Sequence, residues 1–369
     1  MNRTNTRIPA LCIDEAINQL TKMYSSVIRG GKSVETVPSV FLWGPPGVGK
    51  SEAVDQIAEG LEALTGKKVI VKEIRVPLYN PIDFHGVPTA DVSKTHTVWL
   101  KPQELELDPS EDTINILFLD ELTAAPQSVQ VIAYQMTLDH SVGEHKLPKN
   151  TIVIAAGNRT TDKSVAYHMP KALANRLLHI EIRADFDTWK DWAIKTGVHS
   201  YVMGYLMFDN SKLLTEEVGM DDLAYPSPRS WVFVSDILNS INTDEIDDIY
   251  SLIAGCIGTG TAIEFVQYCK IYKDLPSIED IIMGRKVTYP NSPDVLYAII
   301  SSLISYVSKN VEKLGFDDIE NICDFCNDLQ PDYATCMYRT LSAINTVQSK
   351  LSKSSSFRTW IKINNRMSL

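Results

Sequence analysis

Residues 44–51 read GPPGVGKS, and the reading of this octapeptide decides the fold. Gly44, Gly49, Lys50 and Ser51 fill the pattern G-x-x-x-x-G-K-[ST]. Gly44, Pro45, Pro46, Gly47, Val48 and Gly49 supply a loop whose glycines let successive backbone N–H groups turn inward on phosphate oxygens. Lys50 is placed to reach the β and γ phosphates, and the Ser51 hydroxyl to ligate Mg²⁺. The flanks supply the required context. Residues 37–43, VPSVFLW, read as a buried strand, and residues 51–66, SEAVDQIAEGLEALTG, as a helix ending near Gly66. A helix that starts at the loop adds partial positive charge where the phosphates sit. The expected ligand is a purine nucleoside triphosphate with Mg²⁺, taken as ATP.

Downstream, residues 115–122 read NILFLDEL. The apolar run 116–119 suits a strand buried on both faces of a parallel sheet. Asp120 and Glu121 then lie at the strand's C-terminal end, where open α/β sheets bind ligands. Asp120 suits the Mg²⁺ shell, and Glu121 suits a base that orients and deprotonates an attacking water. Adjacent residues at a strand end point in different directions, so one carboxylate can serve the metal and the other the water. That pairing favours hydrolysis over binding alone.

Strands are expected at 37–43, 68–76, 114–119, 151–156 and 177–182, alternating with helices. Alternation implies a parallel sheet with right-handed crossovers. Residues 1–36 read as a helix, IDEAINQLTKMYSSVI, followed by a Gly-Gly linker. From Asp185 the pattern becomes helical throughout, with a Pro- and Gly-containing linker at about 271–292. The expected division is an α/β nucleotide-binding core at 1–184, an α-helical lid at 185–290 and a C-terminal helical extension at 291–369. The Ser-rich, basic tail from Gln348 carries Lys350, Lys353, Arg358, Lys362 and Arg366. It reads as a frayed end rather than a docking segment.

The bulk numbers bound the function class. The chain has 369 residues, 44% of them hydrophobic and 22% charged, as in an ordinary soluble globular protein. No apolar run is long enough for a membrane helix, and the start has no signal-peptide core. Six cysteines fit a reducing, cytoplasmic setting. The net charge of −11 argues against a dedicated nucleic-acid binder, although a local basic pore is compatible with it. Cys323-x-x-Cys326 lacks a second ligand pair nearby, so buried free thiols are the better reading than a zinc site.

With these motifs in place the sequence resembles the AAA+ ATPases, and within them the MoxR-like group, from about Pro38 to Leu238. Four further segments carry the likeness. In TIVIAAGNR, 151–159, Asn158 falls where the family has a sensor that contacts the γ-phosphate or its attacking water. In MPKALANRLLHIEI, 169–182, Arg176 matches the arginine finger that reaches the ATP of a neighbouring subunit, with Arg159 and Arg183 as competitors. In YPSPRSWVFVSDIL, 225–238, Ser227 reads as a helix N-cap and Pro228 as the first helical residue. Arg229 then resembles the lid arginine that contacts the γ-phosphate in cis, and a cation in a first turn opposes the helix dipole unless it faces an anion. In VPLYNPIDFHGVP, 76–88, Asp83 and Gly86 keep the shape of a MoxR-like element, while Phe84 and His85 depart from it. Phe84 and Trp99 are candidates both for contact with a client and for core packing.

The resemblance implies a five-stranded sheet of order 5-1-4-3-2 in a P-loop NTPase core, followed by the helical lid and extension. It also implies that the N-terminal element covers the adenine. It implies a ring, as a hexamer, that hydrolyses ATP to remodel or mature a partner protein, typically one with a von Willebrand factor A domain. Two other classes stay open at this level: a nucleic-acid motor or loader, and a nucleotide-gated structural protein with little turnover. Glu121 and Asn158 argue against the second of these.

Overall fold

A computed structural model describes residues 8–159, 169, 174–215, 222–241 and 246–364. The chain divides into two compact units, Met1–Asp185 and Phe186–Leu369.

The first unit is built on a sheet. In chain order its strands are β1 (Ala10–Leu11), β2 (Val40–Trp43), β3 (Lys68–Arg75), β4 (Val87–Ala90), β5 (Thr97–Leu100), β6 (Thr113–Asp120), β7 (Ser141–Val142), β8 (His145–Lys146), β9 (Thr151–Gly157) and β10 (Leu178–Ile182). Six of them form one sheet of order β1-β10-β2-β9-β6-β3, with every pair parallel. Counting only the five strands expected from the sequence, the order is 5-1-4-3-2. The two-residue β1 adds a sixth strand at the edge beside β10.

Strand periodicity sorts the core into two layers. Phe41, Leu117, Leu119, Val153 and Ala155 face one side and pack with Val129, Ala133 and Met136 of α4 (Gln127–Asp139). Their neighbours Val40, Leu42, Ile116, Phe118, Ile152 and Ile154 face the other side. There they meet α1 (Ile13–Arg29) and α2 (Lys50–Thr65), through residues such as Leu20, Tyr24, Val54, Ile57 and Leu61. Strands buried on both faces need no polar positions, which is why β6 and β9 are apolar almost without break. Because all strands run the same way, the residues that follow β2, β6 and β9 emerge at one edge of the sheet.

The segment after β3 holds a short helix, α3 (Pro81–His85), capped by Asn80 and Asp83. Phe84 is fully buried in the core layer, its ring 5.2 Å from that of Tyr79. This overturns its candidacy for client contact, since a side chain with no exposed surface cannot meet a partner. Beyond α3, β4 and β5 pair as an antiparallel hairpin whose residues are all exposed, Trp99 among them at 37%.

The second unit is helical: α5 (Phe186–Thr196), α6 (Ser200–Phe208), α7 (Pro228–Ser240), α8 (Tyr250–Ile257), α9 (Thr259–Cys269), α10 (Ile278–Ile282), α11 (Pro293–Asn310), α12 (Phe316–Asp328), α13 (Pro331–Ser342), α14 (Asn345–Leu351) and α15 (Ser355–Ile363). A single apolar cluster runs from Trp189 to Trp360, so the segments on either side of position 290 share one core. The tail from Gln348 is not a frayed end over its described length. Phe357 and Trp360 of α15 pack on Tyr338, with ring centroids 5.0 and 4.8 Å apart. Glu320 of α12 accepts the amides of Ser355 and Ser356 at 3.2 and 3.1 Å, tying down the start of α15. Arg358 donates to the Ser352 carbonyl at 2.9 Å, so part of the basic character serves the fold; Arg366 lies outside the described residues. Cys323 and Cys326 are buried on α12, and burial pushes the Cys323 thiol up to about 11.

Candidate nucleotide site

The phosphate loop joins β2 to α2, as its flanks require. Gly49 sits at φ +89°, a left-handed conformation that lets the chain turn directly into the helix. A Cβ on Gly44 would lie 2.8 Å from the Ile182 carbonyl oxygen, so the loop packs against the end of β10 at a distance only glycine permits. No side chain caps the N-terminus of α2, which leaves the first-turn amides for an anion.

The polar side chains converge on this loop. Lys50 Nζ donates to the carbonyls of Gly44 and Pro45 at 2.8 and 3.0 Å, and to Asn158 Oδ1 at 3.0 Å. The Ser51 hydroxyl donates to Asp120 Oδ2 at 3.2 Å. A hydroxyl beside a carboxylate at the foot of a phosphate loop is a hard-oxygen donor set, and it suits Mg²⁺. Asp120 Oδ1 accepts the Glu121 amide at 2.8 Å. Glu121 itself is exposed and takes the left-handed conformation, φ 54° and ψ 29°, which costs about 1 kcal/mol for a residue with a Cβ. The two carboxylates differ in their surroundings: Asp120 meets Ser51, and Glu121 is exposed.

Asn158 is held from two directions. Its amide donates to Thr123 Oγ1 at 3.0 Å, and the Thr123 hydroxyl donates back to the Asn158 carbonyl at 3.1 Å. Behind Thr123, Gln130 Nε2 donates to the Ala125 and Thr123 carbonyls at 2.9 and 3.3 Å, and Tyr134 donates to Gln130 Oε1 at 2.9 Å. With Oδ1 facing an ammonium, the Asn158 NH₂ is the group left to donate toward a phosphate or a water.

The arginines differ in their surroundings. Arg159 pairs with Glu181 at 2.6 Å and Arg183 with Asp185 at 2.7 Å. Arg176 is exposed on the turn between Ala174 and β10, and no ion pair engages it among the described residues. Residues 170–173 of its segment lie outside the described residues. Arg229 belongs to the second unit, where it is exposed in the first turn of α7. Ser227 caps that helix by accepting the Ser230 amide at 3.1 Å, while Ser230 Oγ accepts the Ser227 amide at 2.8 Å.

Several participants have no signal in the linear sequence. Thr123 and Gln130 sit in an unremarkable stretch, LTAAPQSVQ, and acquire a role only because β6 and β9 are neighbours. Trp43 Nε1 donates to His179 Nδ1 at 2.9 Å across β2 and β10. Arg75, at the end of β3, lies opposite Asp120 in register and donates to Glu73 at 3.0 Å.

Comparison with known proteins follows the same lines. Residues 40–183 match the AAA family, the ATPase family associated with various cellular activities. No curated protein matches the chain. Among solved structures, a mutant of RuvB from Thermotoga maritima is 15% identical, covering 80% of this chain and 86% of its own, with a TM-score of 0.34. A putative ATPase from Cytophaga hutchinsonii is 12% identical, with coverage of 96% and 94% and a TM-score of 0.34. NtrX from Brucella abortus is 15% identical, with coverage of 93% and 70% and a TM-score of 0.36. Likenesses of that order carry no argument; the strand order and the motif geometry stand on their own. From those two observations and the family match, the chain carries over residues 40–183 an AAA-family P-loop ATPase domain.

Proposed function

We propose that this protein hydrolyses ATP as a ring-forming AAA+ ATPase of the MoxR-like type, and that turnover remodels or matures a partner protein. The observation that carries the reading is the link from Lys50 Nζ to Asn158 Oδ1 at 3.0 Å, beside the Ser51–Asp120 contact. Lys50, Ser51, Asp120 and Asn158 thus meet at one edge of the sheet, which supports the roles assigned to them below. A protein that only stored nucleotide would have no use for Asn158 and Glu121 there.

The roles follow from position. The loop amides and Lys50 bind the triphosphate. Ser51 and Asp120 hold Mg²⁺, which when bound neutralises charge on the phosphates. Glu121, exposed beside Asp120, orients and deprotonates the attacking water, and the Asn158 NH₂ fixes that water's position. Arg176, exposed and unpaired with any acid among the described residues, is donated to the site of the next subunit. For Arg229 the resemblance alone supplies the role, a contact to the γ-phosphate in cis. The client is a protein with a von Willebrand factor A domain; this element rests on the resemblance alone.

The test uses the full chain. Mg²⁺-dependent ATP hydrolysis that rises with protein concentration in step with assembly supports the reading. Full turnover by a monomer refutes the shared site. A Glu121→Gln variant, loaded with ATP, is the form in which to probe binding of a von Willebrand factor A domain; no ATP-dependent complex would remove that client.

A further inference from the structure

The turn that displays Arg176 is held by a hydrogen-bonded chain that starts beside the phosphate loop. Trp43 is the last residue of β2, immediately before Gly44. Its indole N–H donates to His179 Nδ1 at 2.9 Å. On the far side of the same imidazole, Nε2 lies 2.6 Å from the Ala174 carbonyl. The first bond requires an unprotonated Nδ1, so the neutral ring carries its proton on Nε2 and donates it to Ala174. That carbonyl also closes the Arg176 turn, accepting the Leu177 amide at a long 3.4 Å. The shorter of the two bonds on it comes from His179.

The imidazole is fixed by packing as well. Trp43, Phe41 and His179 form a cluster with ring centroids 4.3, 6.0 and 6.1 Å apart. Register confirms the layout, since β10 lies between β1 and β2 with His179 opposite Phe41. Trp43 is also opposite Gly157, the residue before Asn158. One aromatic side chain therefore borders the phosphate loop and the sensor strand, and bonds through one histidine to the arginine turn.

We propose that Trp43 and His179 are positioning residues for Arg176, setting its turn for the neighbouring subunit and linking it to the phosphate loop of its own subunit. The proposal rests on the reading of Arg176 as a residue supplied in trans.

The test is subunit complementation in the assembled protein. His179→Phe keeps an aromatic ring but removes both bonds. It is expected to lower kcat about tenfold, the worth of one well-made hydrogen bond, with nucleotide affinity unchanged. Mixing it with Glu121→Gln subunits, whose arginine turn is intact, should restore turnover at the His179→Phe sites, as it should for Arg176→Ala. His179→Gln can accept from Trp43 and donate to Ala174, and is expected to stay near wild type. A defect that Glu121→Gln relieves for Arg176→Ala but not for His179→Phe overturns the proposal, as does an unchanged kcat in His179→Phe. Full turnover by Arg176→Ala alone removes the arginine reading itself and the proposal with it.

Discussion

The hydroxyl of Thr123 and the backbone of Asn158 bond in both directions, Thr123 Oγ1 accepting the Asn158 amide at 3.0 Å and donating to its carbonyl at 3.1 Å. Thr123 follows Glu121 by two residues. The residue expected to place the attacking water is therefore braced by the segment that follows the residue expected to activate it, and Asn158 in turn holds Lys50.

Thr123→Val tests that brace. Valine keeps the shape but leaves a part-buried amide and carbonyl without their partner, a cost of about 1–3 kcal/mol. If the cost falls on the sensor's placement, kcat drops at least about tenfold while ATP affinity holds. Thr123→Ser retains the hydroxyl and should recover most of the rate. Steady-state kinetics with a nucleotide-binding titration separates the two effects.

Lys50 and Glu121 should fail in different ways. Lys50→Ala removes the ammonium that meets the phosphates, so ATP affinity should fall by about tenfold or more. Glu121→Gln keeps the binding cluster and should bind ATP normally yet lose turnover. Titration of a fluorescent ATP analogue against both variants checks the split.

Gly44→Ala probes the packing of the loop. The added Cβ would lie 2.8 Å from the Ile182 backbone oxygen, where no flexible side chain can give way. Strain of about 1–3 kcal/mol is expected. Thermal melting should show a lowered Tm, and ATP binding should weaken because the loop is displaced.

Stability of the helical unit should depend on pH through His199. Burial, with a smaller contribution from Lys309, lowers its pKa from 6.5 to about 4. Its Nδ1 accepts the Tyr201 amide at 3.2 Å at the start of α6, a bond that only the neutral ring can make. As pH falls, the unfolded chain takes up a proton before the folded one does. The stabilisation is thus complete above about pH 6.5 and is lost between 6.5 and 4, by about 3 kcal/mol at most. Urea unfolding across this range, compared with His199→Asn, which also caps but does not titrate there, should show a flatter profile for the variant.

Much of the site is legible in the linear sequence because its parts are contiguous. The phosphate loop, the Asp120–Glu121 pair and Asn158 each end an apolar run, and a strand terminus is a local property. The nearly unbroken apolar runs of β6 and β9 likewise announce strands buried on both faces. Phe84 shows the limit. A phenylalanine in such a segment has the same sequence signature whether α3 presents it to a partner or turns it into the core, and only the surrounding packing buries it.

What the sequence determined by itself was therefore the motifs: a phosphate-loop pattern between a strand and a helix, a carboxylate pair at a strand end, and helices thereafter. The tertiary structure decided the connections. Thr123 to Asn158, Trp43 to His179 and Arg159 to Glu181 join residues on different strands or on the segments that follow them, and each depends on the order of the parallel strands. It also decided that α15 docks on Tyr338. Such contacts are set by strand order and register, which short-range spacing cannot encode, because hydrogen bonds across a parallel sheet pair residues separated by whole crossovers.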